Sequence, residues 1–508
     1  MEEQNRFELD WLQKWNQYSP AAIALQDGDT GRTLTYSQFF LKACRGAAEL
    51  KSKFGIQPGD RVAVLSTNEL EYVFLFFALQ RLGATLVPVN FRLTLREIDH
   101  IISDCEPKLV VHQSEFTEIV KHLAFQTQSV LLSKLSFDEV ESSELKFQST
   151  AKTAAMIIYT SGTTGAPKGA VISHEMIFWN SVNTTWRLNI SQDDCTVIFL
   201  PFFHTGGWNV LTTPFLHRGA KIVLLKKFDG DQILELSEKE KATLLFGVPT
   251  TMDMMARSNT FPTRDLSHIR YAIVGGEPMP LELIHIWHQK GIPIRQGYGL
   301  TEFGPNAFSL NEQDALRKIG SIGFPNFYIA AKIVDELGAE LGAGKIGELW
   351  LKGPMCMTGY WKNPQATAET ITDGWLHTGD LVRKDEDGYF YVVGRKKDMF
   401  KSGGENVYPA ELEKVIRGYP GIREVAVIGV PDQKWGEVGK AFLAIEHKTH
   451  FDQTGLNHYC LENLAKFKVP KYFQVLPDLP KGDSGKILKR KLVEIELSQK
   501  TSQNGTLS

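Results

Sequence analysis

Cysteine is sparse in this chain: the five residues, Cys44, Cys105, Cys195, Cys356 and Cys460, are odd in number, far apart and never in a Cys-x-x-Cys pair. That pattern suggests neither a disulfide framework nor a zinc site, and a reducing compartment fits it best. No apolar run approaches the roughly 18 residues that a spanning helix needs. The opening stretch, Met1 to Asp10, is acidic and polar rather than a secretory leader. The chain is therefore expected to be neither secreted nor transmembrane. The ending Asn504-Gly505-Thr506-Leu507-Ser508 lacks a peroxisomal Ser-Lys-Leu, so a cytoplasmic location is the default. Net charge is nearly absent, at −3 over 508 residues, which gives no global reason to expect nucleic acid or an anionic membrane as a partner. The basic cluster Arg395-Lys396-Lys397 is local. No internal repeat or low-complexity segment is evident.

What is present is an ordinary globular composition, 43% hydrophobic and 23% charged, long enough for more than one core. Short β-rich runs, Arg61 to Leu65 and Ala84 to Val89, flank an apolar helical stretch, Tyr72 to Leu82. A second alternation includes the runs Lys221 to Leu225 and Ala242 to Phe246. Strands alternating with helices predict an α/β architecture with largely parallel sheets. Residues Ala330 to Leu351 read instead as strand and turn, punctuated by Gly338, Gly342, Gly344 and Gly347, and predict a small β subdomain. Beyond residue 397 a helix from Pro409 to Gly418 and strands at Val425 to Val430 and Ala441 to Ile445 predict a separate α+β unit.

The most informative stretch is Tyr159-Thr160-Ser161-Gly162-Thr163-Thr164-Gly165-Ala166-Pro167-Lys168-Gly169-Ala170. An apolar run, Ala154 to Ile158, leads into it, which puts the hydroxyls and glycines in a loop just beyond a strand. Glycines let backbone N–H groups approach an anion closely, the hydroxyls add donors, and Lys168 adds a positive charge. Such a loop suits polyphosphate. It is not a Walker P-loop, because Lys168 lies between Pro167 and Gly169 instead of between glycine and a hydroxyl.

The loop closely resembles the phosphate-binding signature of the adenylate-forming superfamily, which includes acyl-CoA and aryl-CoA synthetases, luciferases and adenylation domains. The resemblance continues in order through Pro201-Phe202-Phe203-His204-Thr205-Gly206-Gly207, Gly275-Gly276-Glu277-Pro278, Gln296-Gly297-Tyr298-Gly299-Leu300-Thr301-Glu302, Thr378-Gly379-Asp380, Gly394-Arg395-Lys396-Lys397-Asp398 and Pro480-Lys481-Gly482-Asp483-Ser484-Gly485-Lys486. It implies a large N-terminal α/β domain, residues 1–396, hinged at Lys397 to a small C-terminal domain, residues 397–508. It also implies ATP, Mg²⁺ and CoA as reactants and cofactor.

The implied roles match the side-chain chemistry. Thr160, Ser161, Gly162, Thr163, Thr164, Gly165 and Lys168 would hold phosphate. Tyr298 offers a face for adenine, the backbone of Gly275, Gly276 and Glu277 a second wall with Gly297 and Gly299 nearby, and Gln296 an amide for the adenine edge. Asp380 is an acceptor suited to ribose hydroxyls, and Arg395 a donor fork near ribose or phosphate. Thr301 would donate to the α-phosphate and Glu302 bind Mg²⁺, which asks for hard oxygen ligands and few protein carboxylates. By resemblance Lys486 is the catalytic lysine, His204 a gate beside the substrate carboxylate, and Ser402-Gly403-Gly404 the passage for the pantetheine arm of CoA.

The acid itself is less sharply defined. The Asp that anchors an amino-acid amine in related adenylation domains is missing, and Gly299 stands where acetate-activating relatives carry a blocking tryptophan. Phe203, Trp208, Gly297 and Gly299 are the expected acyl pocket. This reading favours a medium- or long-chain fatty acid, with an aryl acid of the coumarate or benzoate kind as alternative, and a carrier protein as a less favoured acceptor than CoA. Arg295 could pair with a second substrate carboxylate, although a surface role fits better.

Overall fold

The short apolar runs become strands. In the computed structural model, which describes residues 7–138, 146–160, 167–446, 451–482 and 486–504, they form two compact units: residues 1–331 with 350–377, and residues 332–349 with 378–508.

The first unit holds two sheets. In one, β1 (Arg61–Leu65), β2 (Thr85–Pro88), β3 (Leu109–His112), β4 (Gln128–Leu131), β5 (Ala154–Thr160) and β6 (Lys168–Ser173) lie in the order β6-β5-β2-β1-β3-β4. All pairs are parallel except β5 with β6. Helix α1 (Leu70–Leu82) follows β1 and is buried at every position but Glu71, as a helix apolar around most of its circumference must be; its buried Arg81 pairs with Asp10 at 2.6 Å. Helix α2 (Leu95–Cys105) begins with Thr94 and Glu97 bonded reciprocally in a capping box.

In the other sheet, β7 (Cys195–Ile198), β8 (Lys221–Leu224), β9 (Leu244–Gly247), β10 (Tyr271–Val274) and β11 (Ile294–Leu300) run parallel in the order β8-β7-β9-β10-β11. Strand β12 (Gly304–Ser309) then returns antiparallel on β11. Helices α3 (His174–Arg187) and α4 (Thr212–Arg218) complete this part. One hydrophobic core takes residues from both sheets and from α1, among them Val62, Val64, Leu86, Phe74, Ile222 and Leu244. A two-residue strand, β13 (Gly359–Tyr360), pairs antiparallel with β6, and α5 (Pro364–Thr370) follows it.

The second unit is α+β. Strand β14 (Trp375–Lys384) pairs antiparallel with β15 (Phe390–Arg395). A smaller sheet comprises β16 (Phe400–Ser402), β17 (Glu405–Val407), β18 (Ile422–Asp432), β19 (Gly436–Ile445) and β20 (Tyr472–Val475), with α6 (Pro409–Arg417) preceding β18. The strand-and-turn segment expected at 330–351 is present as Ala330–Val334 and Ile346–Lys352, and its residues 332–349 group with this second unit. Among the described residues no helix is long and apolar enough to cross a membrane.

Candidate active site

Two hairpins bring the phosphate-site candidates of the first unit together. In the first, Thr160 and Lys168 are cross-strand partners on β5 and β6 and bracket the loop. Ser161, Gly162, Thr163, Thr164 and Gly165 lie outside the described residues. In the second, Leu300 pairs with Gly304, closing a single 3₁₀ turn, Thr301–Phe303, between β11 and β12. Phe303 is fully buried and anchors that turn, leaving Thr301 and Glu302 half-exposed. Gly304 reverses the chain with φ +83°, a conformation that β-carbon crowding disfavours in other residues.

Glu302 is the meeting point. Its Oε1 accepts from the Thr160 hydroxyl at 3.3 Å and from the Tyr360 phenol at 3.0 Å, while its backbone carbonyl accepts from Met357 N at 2.8 Å. Oε2 carries no hydrogen bond among the described residues. The Lys168 ammonium stands 5.4 Å from the centre of the Tyr360 ring. Burial, with the Glu302 charge as a second cause, pushes the Tyr360 phenol well above its ordinary range, so it remains a donor. The described residues contain no group of three or more His, Cys, Asp or Glu able to hold a metal ion. A single carboxylate with one oxygen left over instead fits Mg²⁺ that is held mainly by nucleotide phosphates.

The adenine candidates lie around the ends of β10 and β11. Tyr298 meets Phe308 edge to face at 5.7 Å, and Gly275, Gly276 and Glu277 are half-exposed to exposed. Gln296 departs from expectation. Its Nε2 donates to the carbonyls of Val274 at 3.2 Å and Glu277 at 3.1 Å, and its Oε1 accepts from Met279 N at 3.2 Å. With both amide protons engaged by backbone, Gln296 braces the glycine wall and does not present its amide to a base edge.

In the second unit, Asp380 and Arg395 are directly opposed on β14 and β15, and Arg395 Nε lies 2.7 Å from Asp380 Oδ1. Asp380 is buried whereas Arg395 is exposed. A parallel pair stands beside them: Glu348 accepts from Lys396 Nζ at 2.9 Å and from Gly379 N at 3.1 Å. Lys397 is exposed in the short turn after β15. Ser402, Gly403 and Gly404 form the turn from β16 to β17, where Gly403 N donates to Trp435 O at 2.8 Å. A β-carbon on Gly403, whose φ is +62°, would stand 2.9 Å from the Trp435 indole. Lys486 is exposed, and its carbonyl accepts from Gly482 N at 2.7 Å.

The sequence profile of the AMP-binding enzyme family matches residues 12–361, and that of the AMP-binding enzyme C-terminal domain matches residues 411–486. The chain belongs to the AMP-binding enzyme family. It is similar to a feruloyl-CoA synthase of Amycolatopsis sp, at 38% identity over 94% of this chain and 97% of that one. A long-chain-fatty-acid–CoA ligase of Mycobacterium tuberculosis is 35% identical over 94% and 96%. Among solved structures, o-succinylbenzoate CoA synthetase from Bacillus subtilis, in complex with its acyl-adenylate intermediate, superposes with TM-score 0.89 at 31% identity over 97% and 98% of the two chains.

The acid pocket expected of an AMP-binding enzyme is built differently from the sequence reading. Trp208 is fully buried, stacked on Phe202 at 4.2 Å and edge-on to Tyr72, so it belongs to the core and does not line a pocket. At Gly299 a β-carbon would fall 2.3 Å from the Pro305 backbone; this position faces β12, not an open channel. Gly297 has only ordinary contacts beyond 3.6 Å and keeps its place as a pocket candidate. Phe203 is buried, with Phe91 at 5.1 Å and the half-exposed His204 ring at 4.6 Å. Arg295 is neither a surface residue nor available to a second carboxylate: it is buried, pairs with Glu312 at 3.1 Å and lies over Tyr271.

Three residues escaped the sequence reading. Tyr360 lies 58 residues from Glu302 with no local motif to link them. Trp435 meets the Gly403 turn only through the sheet. Phe246, at the end of β9, is flanked by glycines: β-carbons on Gly206 and Gly275 would stand 3.6 and 3.8 Å from atoms on opposite sides of its ring.

Proposed function

We propose that this AMP-binding enzyme is an ATP-dependent, AMP-forming acid–CoA ligase whose acid is an aryl acid. The observation that carries the reaction type is the convergence of Thr160, Lys168, Tyr360 and Glu302 beside the loop between β5 and β6. The acid class rests on Phe246, a half-exposed aromatic side chain beside Gly206 and Gly275, which is assigned to the wall of the acid pocket. The higher identity to a feruloyl-CoA synthase than to a fatty-acid ligase supports the same choice and moves the reading from fatty acid to aryl acid.

A carboxylate is a poor acyl donor because oxide is a poor leaving group. In the first half-reaction a carboxylate oxygen bonds to the α-phosphorus of ATP, the α–β phosphoanhydride bond breaks, and pyrophosphate leaves. Mg²⁺, bound with the nucleotide, supplies charge neutralisation at the phosphates. Thr301 and the loop hydroxyls donate to phosphate oxygens, Glu302 offers Oε2 to the cation, and Asp380 accepts from ribose. Lys486 opposes the negative charge that builds between carboxylate and phosphorus. In the second half-reaction the CoA thiol loses its proton to solvent, its sulfur bonds to the acyl carbon, the carbon–oxygen bond to phosphate breaks, and AMP leaves. The turn Ser402 to Gly404 is assigned to the pantetheine arm and Lys397 to the hinge between the two conformations. Thioester formation from ferulate, ATP and either free CoA or a phosphopantetheinylated carrier tests the acceptor. CoA is the expected one, and transfer to the carrier alone would overturn that assignment.

A further inference from the structure

Glu302 does not choose its own orientation. A glutamate on a half-exposed turn has three rotatable side-chain bonds, and its carboxylate must be fixed by neighbours before it can hold a cation at a defined place. Two donors converge on one oxygen of that carboxylate, the Thr160 hydroxyl at 3.3 Å and the Tyr360 phenol at 3.0 Å. The second is the shorter, and its residue is held through its backbone. Tyr360 sits in β13, in register with Ala170 of β6. Its backbone N–H donates to the Thr367 hydroxyl of α5 at 2.9 Å. The ring also faces the Lys168 ammonium at 5.4 Å.

We propose that Tyr360 is a positioning residue for the metal-bound nucleotide: by holding Oε1 of Glu302 it directs Oε2 towards the cation, and by facing Lys168 it ties that carboxylate to the phosphate-loop hairpin. This rests on the assignment of Glu302 as the metal ligand. A rigid phenol donor fits the task better than a second lysine or arginine, because it orients the carboxylate without neutralising the charge that the cation needs. The ring and the hydroxyl have separable duties, so Tyr360→Phe keeps the contact with Lys168 and removes only the hold on Glu302.

The test uses the full chain without acid or CoA, so that no turnover enters. Mn²⁺ binding is followed by electron paramagnetic resonance in the presence of α,β-methylene-ATP, and AMP binding in EDTA by calorimetry. Tyr360→Phe is expected to weaken Mn²⁺ binding about tenfold, the lower end of what loss of an outer-shell partner costs. AMP binding should stay within about twofold of wild type, a few tenths of a kcal/mol. Glu302→Gln should weaken Mn²⁺ binding at least as much. Wild-type Mn²⁺ affinity in Tyr360→Phe alongside a loss in Glu302→Gln overturns the positioning role alone. Wild-type affinity in Glu302→Gln overturns the ligand assignment and the proposal with it. Equal loss of Mn²⁺ and AMP binding in Tyr360→Phe marks a packing role and also contradicts the proposal. Should Tyr360→Phe fail to fold, Thr367→Val, which removes the hydroxyl that accepts from Tyr360 N and so loosens the placement of the phenol, is expected to weaken Mn²⁺ binding in the same direction; no change there counts against the proposal.

Discussion

Two glycines, two residues apart, separate pocket from scaffold. A β-carbon on Gly297 would make only ordinary contacts, whereas one on Gly299 would penetrate the Pro305 backbone. Gly297→Ala is therefore expected to fold and to shift the preference among acids. Gly299→Ala should destabilise the β11–β12 hairpin by about 1 to 3 kcal/mol, the usual range for overpacking. Denaturation midpoints and the kcat/KM ratio between ferulate and benzoate read both outcomes; a Gly299→Ala protein as stable as wild type contradicts the geometry. Tryptophan at this position would unfold the hairpin before it restricted the substrate. Asp380→Ala removes a buried acceptor already oriented by Arg395. It should raise the ATP KM about ten- to hundredfold, from loss of a charge-assisted bond of roughly 1.5 to 3 kcal/mol, with the acid preference unchanged. An altered acid preference at an unchanged ATP KM would sink that assignment.

At the scale of elements, α3 and α4 hold a pH-dependent weakness. His174, at the start of α3, is buried, and His217, on α4 and stacked on Trp11 at 4.0 Å, is half-buried; desolvation lowers each to about 3. Below the ordinary histidine range the unfolded chain takes up protons that the folded chain refuses. The stability held above about pH 6.5 is therefore lost progressively on acidification, by about 2 kcal/mol at pH 5 for the buried His174 and by less for the half-buried His217. Denaturant titrations at pH 7 and pH 5 should show this loss, and His174→Gln with His217→Phe should flatten it; an unchanged slope in the double variant contradicts the account. These helices and strands were largely legible in the chain. The apolar run Tyr72 to Leu82 became α1 and Arg61 to Leu65 became β1, because a run buried on all sides shows in composition alone. The partners of Glu302 and the burial of Arg295 did not show. They depend on pairings across many residues, β13 with β6 and Arg295 with Glu312, that no local period encodes. Trp208 read as pocket because aromatic residues line cores and pockets alike.

For the whole molecule, the proposed mechanism assigns separable tasks to the second unit. Lys486→Ala should lose acid-dependent pyrophosphate release by on the order of 10² to 10³, as other electrostatic stabilisers do, yet still convert synthetic acyl-AMP and CoA to thioester. Lys397→Pro, which fixes φ at the assigned hinge, should show the converse defect. Equal loss of both half-reactions in both folded variants contradicts the two-conformation scheme. The most direct measurement of the central claim is AMP release by the wild-type enzyme with ATP, Mg²⁺ and CoA, across ferulate, 4-coumarate, benzoate, laurate and palmitate. Release that requires an acid, with kcat/KM highest for one of the aryl acids and one thioester formed per AMP, is the expected result. AMP release highest with laurate or palmitate would contradict the aryl assignment, and no acid-dependent release with any of them would contradict the ligase itself.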